Sequence, residues 1–195
     1  MKEISVFEKE TFDKVDRSER VVSGKTFTSC TFTNCIFTKT VFEDCTFESC
    51  TFDKCDLTMI KVKSSSFRQI KITNSKAIGI LWYDAKSPFT KHPLTIICTD
   101  SNISYSSFYG VNLKKAKFNR CMAKEVDFSE CNLTEAEMER SDLEGSRFVN
   151  CDMTCASLKG AQNYFIDIQS NKVKGAKFSL PEAISLLNSL DIVID

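Results

Sequence analysis

The chain has little of what most catalytic domains rely on. Of its 195 residues only one is histidine, three are proline and six are glycine. The lone His92 sits in a segment flanked by Pro88 and Pro93 with no ordered acid nearby, which argues against a Ser-His-Asp or Cys-His device. The glycines are scattered and never form G-x-x-x-x-G-K-S/T, so a phosphate-cradling loop of that kind is excluded. No stretch approaches the ~18 apolar residues that span a bilayer. MKEISVFEKE lacks the apolar centre of a secretion signal, and a cytoplasmic protein without membrane contact is expected. Net charge is missing as well: 26 Lys plus Arg balance 26 Asp plus Glu, so the chain as a whole is not drawn to nucleic acid.

What the chain does have is a strict period of five. Residues 26–57 read TFTSC TFTNC IFTKT VFEDC TFESC TFDKC DL, with Phe27, Phe32, Phe37, Phe42, Phe47, Phe52 and Leu57 at one fixed place, the centre. Two residues before each centre from Phe32 onward stands a small residue: Cys30, Cys35, Thr40, Cys45, Cys50 and Cys55. A helix of period 3.6 or a strand of period 2 would bring these residues onto no common face. A repeat unit that stacks coil on coil explains them. Eight of the ten cysteines occupy the small position, where Ser, Thr and Ala also occur. They read as small inward fillers with free thiols rather than as a disulfide framework or a zinc site, and no metal or cofactor is expected.

Followed along the chain, the period defines one repeat domain, 1–195. Residues 1–20 form a starting cap, in which Phe7 and Phe12 keep the register while Arg17 breaks the apolar rule. Residues 21–82 form a first stack, through Val62, Phe67, Ile72 and Ala77 to Trp82. The register then breaks across 83–97, with an insertion of about eleven residues if the coil continues around it, or of one or six. It resumes in a second stack, 98–178, with centres at Cys98, Ile103, Phe108 and on to Leu158, then weaker ones at Asn163, Ile168, Val173 and Phe178. The last segment, 179–195, opens on Ser179-Leu180-Pro181-Glu182, a capping-box spacing, and predicts a short helix followed by an apolar tail.

Three surfaces are candidates for function. Residues 125–152 carry nine acids against Arg140 and Arg147; Asp127, Glu130, Glu135, Glu137, Glu139, Asp142, Glu144 and Asp152 all fall at outward positions. They are either a ladder of carboxylates for a partner or a soluble polar surface. The insertion supplies Tyr83, Asp84, Lys86, Phe89, Lys91 and His92 as a partner-binding loop, Trp82 being either an anchor there or a core residue. In the tail, Ile184, Leu186, Leu187, Leu190, Ile192 and Ile194 exceed what one helix face can bury. They either form a dimer surface or fold back on the last coil.

The five-residue spacing resembles that of pentapeptide-repeat proteins. The resemblance implies an all-β fold, a right-handed quadrilateral β-helix of about eight coils with four repeats to a coil, so that residues 20 apart stack. The later half, with DSNISYSSFYGVNL and FSLPEAISLLNSLDIVID, looks like the Qnr-type and microcin-immunity subgroup. That likeness implies a non-enzymatic, DNA-mimicking homodimer that binds DNA gyrase or topoisomerase IV and protects it from quinolones or peptide toxins. It implies a role in antibiotic resistance without direct nucleic-acid contact, a protective role for the loop, and a dimer contact through the C-terminal leucines and isoleucines. A general docking scaffold for another partner is the alternative.

Overall fold

The computed structural model describes residues 5–85, 94–190 and 192. Each five-residue unit lays one short extended segment along a side of a square coil, and units one coil apart pair in parallel. Strands Ser5–Glu8, Lys25–Thr28, Thr46–Glu48 and Ser66–Arg68 form the first face. The second face is the longest. Its column Thr11, Thr31, Thr51, Lys71, Ile97, Lys117, Glu137, Ser157 and Lys177 is joined by eight successive parallel pairings, which makes the expected stack of about eight coils. The third face, through Asp16, Ile36, Asp56, Lys76 and Asn102, is held by isolated bridges. Strands Val21–Ser23 and Val41–Glu43 begin the fourth.

Stacking 20 apart puts like side chains on top of one another. Phe7, Phe27, Phe47 and Phe67 form a column with centroids 4.9–5.1 Å apart and planes within 13°, and Phe12, Phe32 and Phe52 form the next. Rings of neighbouring columns meet edge to face, as Phe27 and Phe32 do at 5.4 Å and 71°. Burying each such ring stabilises the rod by roughly 2–3 kcal/mol. Arg17, at a central position of the first coil, is exposed.

Across the insertion Ile72 pairs with Cys98 and Leu81 with Ser107. The offset is 26 instead of 20, so the coil absorbs six extra residues, not eleven. Trp82 is 2% exposed and stacks on Phe108 at 5.8 Å, which settles it as a core residue. The weak late register also needs correction. Asn163 is an exposed corner with φ 58°, and Tyr164 and Ile166 fill the core in place of Asn163 and Ile168. The column recovers by Asp152 and Lys172.

The chain turns a corner every five residues by a left-handed residue two positions after the centre. Lys9, Lys14, Glu19, Gly24 and Ser29 have φ between 54° and 63°. All six glycines stand at this position, so their scatter obeys the same period. Corners come in two forms. In one, the N–H three after a centre bonds the centre's own carbonyl, as Ala116 does to Leu113 and Ala136 to Leu133, both at 2.9 Å. In the other, a side chain from the next coil bridges the two groups. Ser65 Oγ accepts the Cys45 N–H (2.9 Å) and donates to the Phe42 carbonyl (3.0 Å). Ser141 does the same for Cys121 and Phe118, and the Asn171 amide for Cys151 and Phe148. Cysteines at this place donate Sγ–H to the centre carbonyl, at 3.3–3.4 Å from Cys30, Cys35, Cys45, Cys50 and Cys55. At these corners the small residue supplies a donor as well as fitting the space.

At the far end a nine-residue 3₁₀ helix, Glu182–Leu190, closes the stack. The Ser179 hydroxyl accepts the Gly160 N–H of the coil beneath (3.1 Å), anchoring the helix start to the rod.

Candidate protein-docking surfaces

The rod converts position along the chain into height, and this decides what the acidic segment becomes. Residues 125–144 make one coil, so its carboxylates circle the rod instead of running down it. Asp127 lies on the fourth face, Glu130 and Glu135 at corners, Glu137 and Glu139 on the second face, Asp142 and Glu144 on the third. Asp152 lies on the first face, paired with Asn132 below and Lys172 above. The coil below, 105–124, holds five cations and no acid, whereas 125–144 holds eight acids and one arginine. The outcome is a negative band resting on a positive one.

The two bands neutralise each other across the step of 20. Lys117 meets Glu137 at 2.9 Å, and Lys124 meets Asp142 at 3.2 Å and Glu144 at 2.6 Å. Glu135 faces Lys114 and Lys115 at 3.8 and 3.5 Å, and Asp152 faces Lys172 at 3.8 Å. The same rule pairs Lys39 with Glu19, Lys63 with Glu43 and Arg120 with Asp100 lower down. The hydrogen bond from Lys117 holds Glu137 below the usual carboxylate range. Asp142 is also lowered: burial opposes the charge, and hydrogen bonds from Asn163 and Lys124 outweigh it. Glu139 accepts the Ser157 hydroxyl (2.6 Å), and Asp127 accepts the Ser129 N–H (3.0 Å). The eight carboxylates thus form a ring, most of it paired, rather than a one-sided ladder.

Of the loop, Tyr83 and Asp84 follow Trp82 in a short 3₁₀ turn, Trp82–Asp84, and both are exposed. Lys86, Phe89, Lys91 and His92 lie outside the described residues, and so does Ile194 of the tail. In the terminal helix the period of three sorts the side chains. Leu186 packs against the core, Ser185 Oγ donates to the Tyr164 carbonyl (3.4 Å), and Ser189 Oγ accepts the Ile168 N–H (3.4 Å). Ile184, Leu187 and Leu190 share another side; Ile184 and Leu190 are 47% and 39% exposed, and Ile192 is exposed beyond them. Leu186 therefore belongs to the coil-facing side, not to the outward stripe. Phe165 and Leu180, which periodicity did not single out, are exposed at the same end.

The buried thiols are chemically quiet. Burial pushes Cys50, Cys121 and Cys151 up to about 11 and Cys55 to about 12, which keeps these thiols protonated at neutral pH. Among the described residues no group of His, Cys, Asp and Glu is placed to hold a metal ion, and no helix is long and apolar enough to cross a membrane.

A family model described as Pentapeptide repeat region matches residues 25–91, and one described as Pentapeptide repeats (8 copies) matches 96–134 and 131–162. No curated protein matches. Among solved structures, two trypsin-treated variants of QnrB1, a plasmid-mediated fluoroquinolone resistance protein, align with TM-scores of 0.53 and 0.54. Each is 21% identical, over 98% of this chain and 99% of theirs. HetL, a pentapeptide repeat protein involved in heterocyst differentiation regulation from the cyanobacterium Nostoc sp., aligns at 0.54 with 13% identity over 88% of both chains. At such identities the likeness is one of fold.

Proposed function

Because this chain belongs to the pentapeptide-repeat family, we propose that it is a non-enzymatic docking rod that binds a type II topoisomerase, DNA gyrase or topoisomerase IV, and protects it from quinolones or peptide toxins. The layout supports the reading: a rigid eight-coil stack, one six-residue insertion beside Trp82, and a terminal helix with an outward apolar stripe. This is the arrangement that the Qnr-type resemblance describes. Ile184, Leu187, Leu190 and Ile192 suit a tail-to-tail homodimer, since an apolar stripe of this kind is stabilised by a partner surface. The acidic band at 125–144 would then lie about two coils from the dimer centre on each rod, roughly 10 Å at the strand spacing. Duplex DNA carries one negative charge per ≈ 1.7 Å along its whole length; a paired ring one coil thick does not reproduce that. Any likeness to DNA in this protein rests on the rod's form and on two short bands.

Supercoiling by purified gyrase, with a quinolone present and rising amounts of this protein, tests the reading. Restored supercoiling is the expected result; neither rescue nor inhibition by folded, dimeric protein would refute it. The second reading, a docking scaffold for some other protein, is favoured by one observation, the ion pairs that neutralise the acidic ring. Neutralising Glu135, Glu137, Glu139, Asp142 and Glu144 together separates the two, because binding that persists unchanged speaks for a surface other than the carboxylates.

A further inference from the structure

Exposed apolar side chains cluster on the fourth face in a way that the five-residue pattern does not require. Met59 and Tyr105 stand at the corner that leads into this face, Leu81, Tyr83 and Tyr109 on the face itself, and all five are exposed, Tyr105 at 66%. They come from three consecutive coils, held in register by Met59 N–H to the Ile78 carbonyl (2.7 Å), Gly79 N–H to Ser104 (3.0 Å) and the Leu81–Ser107 bridge. Gly79 separates Met59 from Tyr105 in the corner column. A Cβ there would lie 3.4 Å from Met59 Cγ, so the glycine lets the Met59 side chain lie against the corner between the two. Beneath the patch, Trp82 and Phe108 are stacked and almost fully buried, which gives it a rigid floor. Single exposed apolar residues are ordinary, but contiguous patches rich in Tyr and Met mark interfaces.

Charge around the patch is polarised along the rod. Lys61 and Lys63 are exposed beside Met59 on the first of the three coils, Lys63 reaching Glu43 at 3.4 Å, and Glu125 and Glu130 are exposed on the coil after the patch, with Asp127 between them half-buried. The Glu130 carboxylate beside Tyr109 raises the phenol's pKa above its ordinary value, which puts the acidic edge next to the aromatic patch. We propose that this tyrosine patch seats an apolar segment of the protein partner, one that carries an acidic group over Lys61 and a basic group over Glu125, Asp127 and Glu130. The tyrosines supply contact area at low entropic cost, and the two charged edges fix the direction in which the segment lies. The proposal rests on the topoisomerase reading, which supplies the partner.

The test compares wild type with Tyr83→Ser/Tyr105→Ser/Tyr109→Ser in the gyrase supercoiling assay with a quinolone, alongside thermal unfolding and sedimentation mass. The expected result is at least a tenfold rise in the half-protective concentration, with unfolding temperature and mass unchanged. Should the triple variant unfold, Leu81→Lys, which puts a charge at the centre of the patch without removing a ring, is expected to give the same loss. If wild type and variants protect at equal concentrations, the patch is not the seat although the topoisomerase reading stands. If wild type itself neither protects nor binds, both fall. A drop in mass from dimer to monomer on removing the tyrosines would assign the patch to a second copy of this chain and overturn the proposal.

Discussion

Replacing Ser141 by alanine probes whether the small position carries hydrogen bonding or only size. Ser141 is buried, and its hydroxyl joins the Cys121 N–H (2.9 Å) to the Phe118 carbonyl. Alanine fits the space, since Ala116, Ala136 and Ala156 occupy the same place in other coils. It removes both partners, however, and a buried backbone group left unpaired costs about 1–3 kcal/mol. The corner can recover part of that by closing on itself, Cys121 N–H to Phe118 carbonyl, the form that alanine accompanies elsewhere. We therefore expect a net loss of about 2–4 kcal/mol, roughly 4–15 °C in unfolding temperature for a chain of this size. Ser141→Cys keeps the donor and weakens the acceptor, and about half the loss is expected. The converse change, Ala136→Ser, adds a hydroxyl over a corner whose groups are already paired and gains nothing. Urea unfolding followed by circular dichroism measures all three. A loss below about 0.5 kcal/mol for Ser141→Ala, with Ser141→Cys equal to it, would show that the bridge contributes nothing and that size alone selects the residue.

Other outcomes follow from the same geometry. Trp82→Ala should cost about 3–5 kcal/mol by emptying the core beside the insertion, and urea midpoints will show it, whereas a partner anchor would leave stability untouched. Gly145 has φ 69°, and a Cβ there would lie 2.8 Å from the Glu125 carboxyl. Gly145→Ala should thus lose about 1–2 kcal/mol, and adding Glu125→Ala should return only the part due to contact. Thiol stability should fail on the alkaline side. The folded pKa values of Cys50, Cys55, Cys121 and Cys151 lie above the ordinary 9.0, at about 11 to 12. The folded chain then holds protons that the unfolded chain releases, and stability is complete below about pH 9 and falls as pH rises toward 12. Unfolding free energy measured from pH 7 to 11 checks the sign. At pH 8, a thiol reagent should modify the exposed Cys155 well before the nine buried cysteines.

The architecture was legible because each five-residue unit meets the same surroundings. Phe27, Phe47 and Phe67 announce their column by spacing alone, and Ile72 with Cys98 shows the column surviving a six-residue insertion. The size of that insertion was not legible, because one, six or eleven extra residues all restore the period. Local events inside a coil were hidden for a related reason. Tyr164 takes the place predicted for Asn163, since a left-handed asparagine and a buried tyrosine one residue later satisfy the core without disturbing the units on either side. The hydroxyl bridges could have been found by asking which coils carry Ser at the small position and which carry Ala. The glycines, too, would have marked the corners had they been counted modulo five.

The candidate surfaces were less legible because a solenoid separates neighbours in sequence and joins residues 20 apart. An acidic run of 20 residues becomes a ring, and its character depends on the run before it: Lys114, Lys115, Lys117 and Lys124 turn 125–144 from a bare anionic surface into one side of a charge pair. The tyrosine patch is the opposite case. Met59, Leu81, Tyr83, Tyr105 and Tyr109 look unrelated along the chain, and the insertion shifts the later two by six places relative to the earlier ones. Only after that shift is applied do Tyr83 and Tyr109 fall in one column. A surface assembled in this way depends on Leu81 pairing with Ser107 across the insertion. The stacks set that pairing and the extra residues are taken up between them, so deleting a single residue from the loop should leave the columns, and with them the patch, in place. Limited proteolysis and circular dichroism of that deletion should show an intact rod; loss of the rod instead would mean that the length of the insertion fixes how the two stacks meet.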